Sequence, residues 1–124
     1  MKDEIKRRWI AKLESGEYPQ TKSVLADDSG YCCLGVLCEV AVEDGIVFKK
    51  EDPDRVWYTS KLDDSDTEGA VLPFAVRDWA GLPNINPEVP HTDEDGDSII
   101  ESLAELNDRD MPFSQIANLI EQNF

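Results

Sequence analysis

The chain has one histidine, His91, so an imidazole base is available from a single position. Cysteine is scarce as well: Cys32, Cys33 and Cys38 form an odd, crowded set unlike a disulfide framework, which points to reduced thiols. Cations are few. Twelve Lys and Arg stand against 27 Asp and Glu, a formal net charge of −15 that repels phosphate backbones and disfavours direct nucleic-acid or anionic-membrane binding. No stretch approaches the ~20 apolar residues of a membrane span, and MKDEIKRRWIAKL carries charges where a secretory signal needs an apolar core. A cytoplasmic location is the expectation. Glycine-rich phosphate loops and nucleophile elbows are absent too, and no cofactor is implied.

What is present suits one compact domain spanning 1–124, with Trp9, Trp57, Trp79 and four phenylalanines spread along it. The patterns predict an α+β fold, helix in the majority, with two short β-hairpins packed around a buried central helix. Ile5, Trp9 and Leu13 at helical spacing predict a first helix to Ser15, ended by Gly16, with an exposed cationic face. Residues 22–26 and 31–33 flank Asp27 to Gly30 as a first hairpin, and 46–48 with 55–59 form the second. Between them, Leu34 to Val42 is apolar on nearly every side and reads as the central helix. Pro73 opens a helix through Trp79 that Gly81 and Pro83 close. Residues 84–97, with prolines at Pro87 and Pro90, read as an irregular loop, and Ser98 with Glu101 as a capping box for a helix through Leu106. Pro112 opens the last helix.

Chemistry-bearing groups are sparse. A thiol at a helix N-terminus, Cys32 or Cys33, with His91 as base is the arrangement of a cysteine hydrolase, although buried packing is the commoner use of cysteine. The CC-x4-C spacing does not direct two sulfurs at one zinc ion. The run from His91 to Asp97 fails as an EF-hand, because either register leaves Ser102 or Ala104 where a bidentate Glu is required. The last two helices have the outline of a helix-turn-helix, but the final one carries no Lys or Arg. The densest charge lies in two acidic loops: Asp63, Asp64, Asp66 and Glu68 in one, Asp93, Glu94, Asp95 and Asp97 in the other. These serve either solubility or recognition of a basic surface, with Trp57 and Tyr58 as exposed apolar anchors beside them.

At YCCLGVLCEVA, LPFAVRDWAGL, LAELND and FSQIANLIEQNF, the chain resembles a family of small uncharacterised proteins of tailed bacteriophages and prophages. WIAKLESGEYPQ near the start belongs to the same layout. The resemblance implies a mobile-element origin and a bacterial host cytoplasm, and it carries no catalytic residues. Combined with the charge, it leads first to a non-enzymatic accessory protein that inhibits a host protein, for instance an anti-phage defence component, through a phosphate-mimicking acidic surface. A second possibility is a sponge for a nucleotide immune signal, held by aromatic stacking and by Lys2, Lys6, Arg7, Arg8, Lys22, Lys49, Lys50 and Arg55. The cysteine hydrolase ranks third.

Overall fold

A computed structural model describes residues 1–124. It contains five helices and three small antiparallel sheets, an α+β fold. The first helix, α1 (Asp3–Glu14), buries the stripe Ile5, Trp9 and Leu13 that its spacing predicts. Trp9 is wholly buried, and its indole N–H donates to the carbonyl of Cys33 at 2.9 Å, so the largest core side chain leaves no polar atom unsatisfied.

The second helix, α2 (Cys33–Glu43), is the centre of the molecule: Leu34, Val36, Leu37, Cys38, Val40 and Ala41 are all fully buried. Its N-terminus is capped by the Cys32 sulfur, which accepts from the Gly35 N–H at 3.4 Å. Gly35 is required by close approach, since a Cβ there would overlap the carbonyl of Leu25. That contact fixes α2 against the first hairpin, β1 (Ala26–Asp27) and β2 (Gly30–Tyr31), which is shorter than the sequence suggests. Residues 22–25 stay outside the strand pairing; Leu25 is instead tied to Gly69 and Cys32 by backbone hydrogen bonds.

The second hairpin pairs β3 (Val47–Glu51) with β4 (Val56–Ser60), and a two-residue strand, β5 (Thr67–Glu68), extends it on the far side of β4. After Pro73 comes α3 (Phe74–Ala80), closed by Gly81 in the left-handed region at φ 75°.

Two expectations fail in the next stretch. Residues 84–97 are not an irregular loop throughout, and Ser98 does not cap a helix: β6 (Glu88–Thr92) pairs with β7 (Ser98–Ser102) in a third hairpin. Its turn uses Gly96 at φ 83°, with the Asp93 N–H donating to the Asp97 carbonyl. The β-branched pair Ile99 and Ile100 suits a strand, and the real cap lies four residues further on. Ser102 accepts from the Glu105 N–H and starts α4 (Leu103–Asp108). The last helix, α5 (Phe113–Asn123), follows Pro112 as predicted and buries Phe113, Ile116, Ala117 and Ile120. One core of buried apolar side chains draws on all five helices.

Asn107 holds three of these parts together. Its carbonyl oxygen accepts from Gln20 at 2.9 Å and from the Cys33 N–H at 3.2 Å, while its amide donates to the Thr21 carbonyl at 2.8 Å. Beside it, Asp108 accepts from the Ser23 N–H at 2.9 Å. The LND sequence is therefore a fully satisfied polar hub of the fold.

Candidate functional site

The three thiols lie in the core, where burial pushes Cys32 up to about 11 and holds Cys33 and Cys38 well above the ordinary thiol range. His91 is engaged elsewhere: its Nε2 meets a Glu101 carboxylate oxygen at 2.8 Å and its Nδ1 the Thr92 carbonyl at 3.2 Å. Arg109 holds the same Glu101 oxygen. Neither His91 nitrogen meets Cys32 or Cys33, so the structure does not form the thiol–imidazole pair that a cysteine hydrolase uses, and burial favours the neutral thiols. No three His, Cys, Asp or Glu side chains converge as a metal cage requires.

Of the cations named for a nucleotide site, Lys6, Arg7, Arg8, Lys22 and Lys49 are engaged in internal ion pairs. Arg7 grips Glu121 with two nitrogens at 2.6 and 2.9 Å, Arg8 meets Glu43 and Asp44, Lys22 meets Asp110 and Lys49 meets Glu39. The cationic face of α1 is in large part turned to α2 and α5 acids instead of standing free. Lys50 and Arg55 lie over the rings of Phe48 and Trp57, at 5.6 and 5.3 Å from the centroids.

The acidic residues behave differently. None of Asp63, Asp64, Asp66, Glu68, Asp93, Glu94, Asp95 or Asp97 forms an ion pair. Asp64, Glu94, Asp95 and Asp97 are exposed, with side chains bonded to nothing in the chain. Asp63 is exposed too, and its bonds from the Ser65 hydroxyl and N–H hold its carboxyl below the usual range.

Two acids serve the fold as well. Asp93 accepts the Asp95 and Asp97 N–H groups and shapes its turn. Asp66 accepts the first two N–H groups of α3, from Phe74 and Ala75. Glu68, in β5, is half-buried, and desolvation followed by the Asp66 charge raises its carboxyl above the usual range. The structure does not gather both loops into one cluster. Asp66 borders a groove beside α3, whereas Asp93 and Glu94 border a separate polar hollow with His91 and Arg109.

Tyr58 is a correction. It is fully buried in β4, its hydroxyl donating to Glu39 at 2.7 Å, because the pleat that presents one neighbour outward turns Tyr58 toward α2. It is no surface anchor. Trp57 points the other way, half-buried, with its indole N–H donating to Asp52 at 2.6 Å.

The apolar surface that the sequence did not reveal lies around α3. Of the large apolar residues exposed to solvent, Leu62 at 97% and Phe74 at 52% both line one groove of about 520 Å³, together with Ile46 and Trp79. Its acids are Asp66 and Asp78, and Asp63 and Asp64 follow Leu62 directly. Leu62 sits between Lys61 and Asp63 in a polar loop, and that break in polarity was the one available signal.

Comparison with curated proteins and with solved structures yields no match. A family profile, however, matches end to end, over residues 1–124, and the chain belongs to the family described as a domain of unknown function, DUF8296.

Proposed function

We propose that this protein is a bacteriophage- or prophage-derived accessory protein that acts in the bacterial cytoplasm. It binds a basic surface of a host protein and inhibits it, its carboxylates standing where nucleic-acid phosphates would. The observation that carries this reading is the unequal use of charge. Most Lys and Arg are consumed by internal ion pairs, while the carboxylates of residues 63–68 and 93–97 are left without cations. Such a surface projects a negative field that accelerates encounter with a positively charged partner. The phage origin rests on the motif resemblance, and a role in countering host defence follows from that origin together with the charge.

The test is affinity capture from bacterial lysate at low and moderate salt, with mass spectrometry of the bound proteins. A stoichiometric partner with a basic, nucleic-acid-binding surface is expected, released as salt rises. Absence of any stoichiometric partner at either salt would overturn the proposal.

A further inference from the structure

The groove beside α3 combines features that a merely solubilising surface does not need. Leu62 is almost wholly exposed, Phe74 is half-exposed, and both face a concave surface with Ile46 and Trp79. The three indoles also differ. Trp9 donates to Cys33 and Trp57 to Asp52, whereas the Trp79 N–H has no acceptor within the chain and remains open to solvent. An apolar concavity with a few free polar groups, here the Trp79 indole N–H and the Lys61 ammonium, is the composition of a recognition site.

The charge around it selects the occupant. Asp63 and Asp64 adjoin Leu62, and Asp66 lines the groove; the opposing cation is Lys61, since Arg77 is spent on Asp78 and on the face of the Phe74 ring. A second copy of this chain would bring the same acidic rim against itself, at a net charge of −15 per molecule. A basic partner gains from the same rim.

We propose that this groove docks an amphipathic basic segment of a partner protein. Its apolar side chains enter against Leu62, Phe74 and Trp79, and its flanking Lys or Arg side chains face Asp63, Asp64 and Asp66. The proposal rests on the reading above that the partner is basic, and adds where and by what segment it is held.

A synthetic Lys/Leu helical peptide tests it by NMR titration of the labelled full chain, beside one peptide with Leu replaced by Ser and another with Lys replaced by Glu. The Lys/Leu peptide should move the Trp79 indole N–H and the amides of residues 45–46, 60–62 and 74–75. Leu62→Ser, or the Leu-to-Ser peptide, should weaken binding roughly tenfold, while Ile100→Ser on the third hairpin should not. Leu62 is so exposed that its substitution leaves the fold intact, which circular dichroism verifies. Equal affinity for Leu62→Ser, or an unmoved Trp79 signal at saturation, overturns the groove while leaving the acidic-surface reading standing. Equal binding of the Glu peptide overturns the choice of a basic occupant. Concentration-dependent dimerisation through Leu62 in the absence of peptide overturns it in favour of self-association.

Discussion

The carboxylate of Asp66 caps α3 from outside the helix, accepting the Phe74 N–H at 2.8 Å and the Ala75 N–H at 2.9 Å. Pro73 occupies the local capping position and has no side-chain acceptor, so the cap comes from Asp66, eight residues upstream of Phe74. Asp66→Ala should therefore destabilise the protein by about 1–2 kcal/mol. Asp64→Ala, with no bond to lose, should stay within about 0.5 kcal/mol of the parent. Urea denaturation of the two variants checks the difference, and equal midpoints would remove the structural role from Asp66.

The buried Tyr58 and the half-buried Glu39 form a pair with Lys49 as third partner. Tyr58→Phe removes the hydrogen bond and keeps the ring, and should cost about 1–3 kcal/mol. Partner affinity should not change, because the hydroxyl lies inside the fold. A loss of binding with unaltered stability would restore Tyr58 as a contact residue.

Gly35 and Asn107 serve the fold, one by close packing and the other by hydrogen bonding. Gly35→Ala drives a methyl group into the Leu25 carbonyl, and Asn107→Ala leaves the Cys33 N–H and the Thr21 carbonyl without their partner. Either change should lower stability by about 2–4 kcal/mol. Thermal unfolding followed by circular dichroism measures both.

The thiols give a signed pH dependence. Burial raises Cys32 from an ordinary value of 9.0 to about 11, so the folded chain keeps its proton longer than the unfolded chain does. That contribution is fully present below pH 9 and is lost as pH rises toward 11, amounting to about 3 kcal/mol at 1.36 kcal/mol per tenfold change in proton affinity. Cys33, Cys38 and Tyr58 shift in the same direction, chiefly by desolvation, and steepen the alkaline limb. Native protein at pH 8 should resist iodoacetamide at all three cysteines, while unfolded protein reacts. Rapid native labelling of Cys32 or Cys33 would contradict the buried assignment.

Most of the core was legible because helical periodicity is a local signal: Ile5, Trp9 and Leu13, the apolar run of α2, and the Phe113 to Ile120 stripe all fall where their spacing places them. The third hairpin was misread because Pro90 and the acidic turn suggest a loop, and because two Ser-x-x-Glu patterns, at Ser98 and Ser102, compete for one cap. Cross-strand pairing of His91 with Ile99 decides between them, and such pairing is a relation between two segments that the periodicity of either one does not show. The site divides likewise. Charge density is visible in composition, but the structural use of Asp66, the inward turn of Tyr58 and the concavity under Leu62 and Phe74 depend on contacts between distant segments.

On this reading the unpaired carboxylates bind the partner. Association kinetics between the captured partner and a variant carrying Asp63→Asn, Asp64→Asn, Glu94→Gln, Asp95→Asn and Asp97→Asn, measured across a range of salt concentrations, put this to the test. The fold should be unchanged, the association rate lowered roughly tenfold at low salt and the salt dependence flattened, with a smaller effect on dissociation. Parental affinity with an undiminished salt slope would contradict it, and the negative charge would then serve solubility alone.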